Sequence, residues 1–129
     1  MHAALRRPEL TTIDEVAAAF DISRNHLSKV VHQLSQQGFL STRRGVGGGF
    51  TLAQTPRKII LGDVVRITEG DEAVIDCMNR KSEPCAIFPA CRLKGILAEA
   101  AQAFYGALDH YTLEDLVKRR PQMKELLAI

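Results

Sequence analysis

A mainly α-helical fold with one small β-hairpin is what this sequence predicts, and three observations carry it. Apolar residues recur at helical spacing around positions 13–20, 27–34 and 93–111. Between the second and third of these stretches lies a glycine-rich run, Arg44-Gly-Val-Gly-Gly-Gly49, flanked by short segments of alternating polarity. All three cysteines, Cys77, Cys85 and Cys91, fall in one further stretch, where Pro84 and Pro89 rule out a helix interior.

The 129 residues suggest one domain, or one domain with an extension. A composition 46% hydrophobic and 25% charged is ordinary for a globular protein. No apolar run approaches the ~20 residues of a membrane helix, and residues 1–10 show no secretory core, so the expectation is a cytoplasmic protein without a membrane partner. Net charge is +2, but its distribution says more. From Ile22 to Gly62 there is no acid, while Arg24, Lys29, Arg43, Arg44, Arg57 and Lys58 all lie there. A one-signed half fits a polyanion, and nucleic acid is the commonest one.

Residues 1–10 are short and uninformative apart from Arg6 and Arg7. Thr12 and Glu15 form a capping box that starts a helix. Ile13, Val16, Ala17 and Phe20 give it one apolar face. Asp21 and Ile22 make a tight break. Ser23 caps a second helix, in which Leu27, Val30, Val31 and Leu34 repeat the spacing, and Gly38 ends it in a left-handed position. Two short helices joined this way form a helix-turn-helix. The outward face of the second carries Arg24, Asn25, Ser28, Lys29 and His32, with no acid. Asn reads adenine and Arg or Lys reads guanine in a major groove. A polar outer face alone would mean little, but residues 39–43 and 50–52 then read as paired strands around the glycine run. Arg43 and Arg44 flank that turn, so the hairpin reads as a wing whose arginine enters a minor groove. A phosphate-binding loop fits poorly, because a strand follows the glycines and no lysine–serine or lysine–threonine pair does.

Thr55-Pro56 closes the wing. Residues 59–61 read as a short strand or a helix lead-in, and 62–69 as a helix. After the cysteines, Leu93, Ile96, Leu97, Ala100, Phe104, Ala107, Leu108 and Tyr111 follow helical spacing along ~28 Å. That stripe exceeds what a small winged domain covers, so part of it should pack on a second copy of the chain. Thr112 caps a last short helix through Lys118, ending before Pro121. Lys118, Arg119 and Arg120 read as compensation of a helix C-terminus rather than as a binding patch.

Three thiols on one short irregular loop suit an iron–sulfur cluster, zinc or copper(I). The alternatives are a disulfide with a spare thiol, or three inert buried thiols. An odd count without a secretory signal argues against disulfides. A thiol enzyme is disfavoured, since no His or acid stands at a recognisable activating distance in sequence.

The chain resembles the Rrf-type winged-helix regulators that carry iron–sulfur clusters, and within them the nitric-oxide-sensing repressors. The resemblance rests on Ile22-Ser-Arg-Asn-His-Leu-Ser-Lys-Val-Val31, Arg44-Gly-Val-Gly-Gly-Gly-Phe50, Leu61-Gly-Asp-Val-Val65, Cys85-Ala-Ile-Phe-Pro-Ala-Cys-Arg-Leu-Lys94 and Asp109-His-Tyr-Thr-Leu-Glu-Asp-Leu116. It covers nearly the whole chain. It implies a homodimeric repressor on a palindromic operator in double-stranded DNA, with nitric oxide as its signal. Residues 1–58 would form the winged helix-turn-helix, and 59–129 the cysteine loop and dimerisation helix. Cys77, Cys85 and Cys91 map onto cluster ligands, a 4Fe-4S cluster ahead of a 2Fe-2S one. The iron–sulfur-biogenesis branch places a histidine three residues after its last cysteine; here Lys94 stands there, which favours the nitric-oxide branch. The family's first helix is expected to be short or missing here; in nitric-oxide sensors it can supply a carboxylate as fourth ligand. An iron–sulfur cluster normally takes four protein ligands. The fourth is left to a partner subunit, a small molecule, His2 or His110. An iron- or redox-responsive regulator of the same family, and a winged-helix module with a structural zinc, are the alternatives.

Overall fold

The computed structural model describes residues 1–69 and 85–129. The helix-turn-helix folds where its local signals place it. α1 (His2–Arg6) is followed by α2 (Ile13–Phe20) and α3 (Arg24–Gln36). At the start of α2, the Glu15 amide donates to Thr12 Oγ1 at 3.2 Å and the Thr12 amide to the Glu15 carboxylate at 2.7 Å. Asp21 takes up the left-handed break between α2 and α3, at φ 49°. Gly38, at φ 75°, ends the α3 region, and the Phe39 amide reaches back to the Leu34 carbonyl at 3.0 Å.

The wing is an antiparallel pair, β1 (Leu40–Arg43) and β2 (Gly49–Leu52), in register Leu40↔Leu52 through Arg43↔Gly49. Thr11 pairs with the far edge of β2, exchanging both backbone bonds with Phe50 at 2.8 Å. That approach requires glycine at position 49, where a Cβ would lie 2.6 Å from the Thr11 carbonyl oxygen. After a 3-10 turn (Pro56–Lys58) comes α4 (Leu61–Glu69). A second 3-10 turn (Phe88–Ala90) precedes α5 (Leu93–Asp109), and α6 (Leu113–Leu116) and α7 (Arg120–Leu126) follow.

The core draws on both ends of the chain. Leu5, Val31, Phe50, Ile59, Leu113 and Val117 are all buried in it. Residues 59–61 serve as both strand and lead-in: Ile60 bridges Thr112, with the Leu61 amide on the Tyr111 carbonyl at 2.9 Å and the Leu113 amide on Ile59 at 2.8 Å. Both ends of the segment between those pins are fastened at one place on the core.

Two expectations are corrected. Residues 1–10 are not an uninformative lead: His2, Ala3, Ala4 and Leu5 are buried along α1. Nor does Pro121 stop the helical region. It sits in the first turn of α7, where its missing N–H is no loss. The basic run before it is engaged locally, Lys118 with Asp115 at 2.7 Å and Arg120 with the Ala4 carbonyl at 2.6 Å. This second bond ties the last helix to the first.

α5 has no buried residue. One face, through Leu97, Ala101, Tyr105 and Leu108, is half-buried, and α4 packs against this helix. The other face, through Leu93, Ile96, Ala100, Phe104 and Ala107, is apolar and exposed along the length of the helix, and the exposed Tyr111 follows just past its end. The helix has 17 residues, giving about 25 Å, slightly shorter than the spacing predicts. An apolar cleft of about 540 Å³ opens beside α1, α3 and α4, and the His2 ring lines it.

Candidate nucleic-acid interface and cysteine site

Packing of Leu27 and Val31 into the core turns the opposite side of α3 outward. That side presents Arg24, Asn25, Ser28, Lys29 and His32, all exposed. Arg24 is not free: its Nε forms an ion pair with Asp14 on α2 at 2.6 Å. Arg43 closes β1 and Arg44 begins the turn, both exposed, with Val46 at the tip. Gly45 and Gly47 take φ 100° and 72°, conformations in which a side chain would be strained. Arg57 pairs with Glu114 at 2.9 Å. Among the described residues, Lys29, Arg43, Arg44 and Lys58 make no ion pair, which leaves these four cations of the acid-free span available to a polyanion.

Behind α3 stands α4. Gln33 on α3 donates through Nε2 to the Ile67 carbonyl. On its other side, Arg66 grips Asp109 of α5 with two bonds, 2.8 and 2.7 Å, and lies over the Tyr105 ring at 4.9 Å. These bonds hold the Asp109 carboxyl below its ordinary range. Gly62 gives the room, because a Cβ there would collide with the Asp109 carboxylate. Helix α4 thus touches the outward-facing helix and the long exposed helix at once.

The cysteine segment joins the end of α4 to the start of α5. Cys77 lies outside the described residues. Cys85 is an exposed free thiol and Cys91 a half-buried one. Between them the chain folds into a tight turn, with the Phe88 amide on the Cys85 carbonyl at 2.9 Å and the Cys91 amide on the Phe88 carbonyl at 3.4 Å. Lys94 does not project as a histidine ligand would; its Nζ donates to the Phe88 carbonyl at 3.0 Å and lies 4.2 Å from the Phe88 ring centroid. Among the described residues, no group of three His, Cys, Asp or Glu converges on a metal site. Two free, soft thiol donors on one turn fit an iron–sulfur cluster as two of its ligands, and the set closes only with residues beyond the pair. Of the histidines considered for the fourth place, His110 is exposed at the end of α5. His2 is 4% exposed, with no partner on either ring nitrogen.

Sequence reasoning missed Asp14, Gln33 and Arg66, and took Lys94 only as a position lacking a histidine. Asp14 carried a signal, as the acid just ahead of an acid-free span. The partners of Gln33 and Arg66 lie 34 and 43 residues away, and no local pattern marks them.

A helix-turn-helix with an outward polar helix, an arginine-bearing wing and a long exposed helix defines a winged-helix DNA-binding transcription regulator. The chain belongs to the Rrf2 family, described as iron-dependent transcriptional regulators, whose match spans residues 1–119. It is 44% identical over 127 residues to the HTH-type transcriptional regulator NsrR of Bacillus subtilis, covering 98% of this chain and 87% of that one. It is also 44% identical to NsrR of Geobacillus kaustophilus, over 96% of this chain and 84% of that protein. Among solved structures, Staphylococcus aureus CymR matches with a TM-score of 0.66 at 27% identity, over 90% of this chain and 85% of the other. No helix among the described residues is long and apolar enough to cross a membrane.

Proposed function

We propose that the protein is a homodimeric repressor whose hold on a palindromic operator depends on an iron–sulfur cluster that nitric oxide attacks. The observation that carries this reading is the position of α4. It is hydrogen-bonded to the outward helix α3, ion-paired to α5, and continuous with the segment bearing Cys77, Cys85 and Cys91.

In this reading residues 1–58 read DNA and 59–129 sense and dimerise. Asn25, Ser28 and Lys29, with Arg24, face the major groove, and Arg43 and Arg44 approach the minor groove or its phosphates. Cys77, Cys85 and Cys91 hold the cluster, which when bound supplies iron that nitric oxide binds strongly; 4Fe-4S is preferred over 2Fe-2S. Similarity to proteins named NsrR supports nitric oxide over iron or redox state as the signal. The chain's own part is to keep the Cys85–Cys91 turn seated on α5 and to pass any shift of that segment into α4. From α4 the Gln33 bond carries it to α3. A ligand moves an equilibrium only by its differential affinity for the two states, so the loaded form must favour the DNA-competent dimer.

The test is operator binding by anaerobically prepared protein, followed by fluorescence anisotropy. Stoichiometric nitric oxide should lower affinity by roughly 5- to 150-fold, the usual span of allosteric coupling. Cys85→Ala or Cys91→Ala should abolish cluster uptake and tight binding while the far-ultraviolet circular dichroism stays native. Cluster-free protein that binds the operator as tightly as loaded protein would falsify the reading.

A further inference from the structure

The first turn of α5 carries charge of the wrong sign for an isolated helix. It has no acidic residue and no side-chain cap, while Arg92 and Lys94 bring positive charge to the end that is already positive. A nearby anion would stabilise such an end. Cys91 stands directly before it, at the close of the turn that begins at Cys85.

The geometry of Lys94 supplies the second half of the argument. Side chains on a helix lean toward its N-terminus, so a lysine in the first turn reaches back over the residues before it. Lys94 does this, donating to the Phe88 carbonyl at 3.0 Å with the Phe88 ring 4.2 Å away. That same carbonyl accepts the Cys91 amide at 3.4 Å, and the Phe88 amide holds the Cys85 carbonyl at 2.9 Å. Phe88 is therefore the joint between the two cysteines, and Lys94 grips it by both its carbonyl and its ring.

Resting on the cluster reading above, we propose that Lys94 is a positioning residue of the cysteine site: it locks the Cys85–Cys91 turn through Phe88 and sets a fixed positive charge beside the bound cluster. At the third position after Cys91 it acts as a clamp on the backbone that carries the two cysteines. Outer-shell partners of this kind hold ligand orientation, and losing one typically costs about 10- to 100-fold in metal affinity.

Full-length wild-type protein, Lys94→Met and Lys94→Arg should be loaded with iron and sulfide under anaerobic conditions. Three readouts follow: cluster loss to an iron chelator, the visible circular dichroism of the cluster, and its reduction potential. Lys94→Met should lose the cluster about 10-fold faster or more, change the visible dichroism and shift the potential downward, with a native far-ultraviolet spectrum. Lys94→Arg keeps the charge but not the compact ammonium that meets both the Phe88 carbonyl and its ring, so its potential should stay near that of wild type while its cluster loss falls between wild type and Lys94→Met. If wild type loads and Lys94→Met matches it in all three readouts, Lys94 has no positioning role. A potential shifted as far in Lys94→Arg as in Lys94→Met also overturns the proposal, since the retained charge would then have no effect on the cluster. Wild-type protein that takes up no cluster overturns the cluster reading and this inference together.

Discussion

Lys29 and Arg44 stand exposed on α3 and at the wing turn with no ion pair among the described residues, whereas Arg24 is already held by Asp14. That difference grades the DNA contacts. Lys29→Ala and Arg44→Ala should each weaken operator binding, by about 1–3 kcal/mol where a bidentate base contact is lost. Loss of a phosphate contact should instead lower affinity for every sequence alike and flatten the salt slope by about one. Arg24→Ala should cost less than either, because the operator must compete with Asp14 for its guanidinium. Anisotropy titrations at several salt concentrations check all three; unchanged affinity in both Lys29→Ala and Arg44→Ala removes the assignment. His2 makes a different residue-level prediction. Its ring is buried in an apolar wall, and burial lowers its pKa below the ordinary 6.5. Between those two values the unfolded chain binds more protons, so stability rises with pH there and is lost as pH falls below about 6.5. Chemical denaturation at about pH 7 and pH 5 should show this loss, and His2→Phe should flatten it.

At the scale of elements, α4 is the part to test. Gly62 is buried against the Arg66–Asp109 pair, and a Cβ there meets the Asp109 carboxylate. Gly62→Ala should evict that side chain and break the pair, while alanine's helix preference returns up to about 1 kcal/mol. The expected outcome is a thermal midpoint close to wild type with a weakened nitric oxide response. Gln33→Leu should do the same from the other side, bringing the ratio of operator affinities before and after nitric oxide toward one. Elements differ in how far the sequence reveals them, and the reason is range. The capping box of Thr12 and Glu15, the left-handed Gly38 and the glycines of the wing act within a few residues, so α2, α3 and the hairpin are legible. α1 is a bare five residues without a side-chain cap, too short to show a period, and only the fold's use of its apolar run reveals it. Pro121 misleads because a proline stops a helix interior but suits a first turn. Of the candidate site, residue type and spacing single out Lys29, Arg44, Cys85 and Cys91, and the structure gives the first two as exposed and the cysteines as free thiols. The bonds of Gln33 to Ile67 and Arg66 to Asp109 depend on how helices distant in sequence come to lie together.

At the scale of the whole molecule, the exposed stripe of α5 is where we propose that a second copy packs. Leu93, Ile96, Phe104 and Tyr111 are 54%, 58%, 56% and 55% exposed, and they lie along one face with Ala100 and Ala107 between them. A contiguous apolar face of this kind marks an interaction surface. Sedimentation at micromolar concentration should show a dimer, and Ile96→Glu or Phe104→Glu should give monomers with native secondary structure. Dimers in both variants would place the interface elsewhere. Two recognition helices related by a two-fold axis should read half-sites about 34 Å apart, or a multiple of that distance.

The pins at Ile59, Ile60 and Leu61 against Tyr111, Thr112 and Leu113 have a mechanical meaning. Both ends of the excursion that holds α4, the cysteines and α5 are fastened side by side on the core by backbone bonds of 2.9 and 2.8 Å. Tension arising inside it meets a knot at its own base, so pulling along the backbone does not carry it into the wing or into α6 and α7. Among the described residues, α4 bears sideways on α3 through Gln33 and on the core through Val64. The molecule resembles a lever bolted at its root, and the Gln33 contact is where it bears on α3, the helix proposed to read DNA.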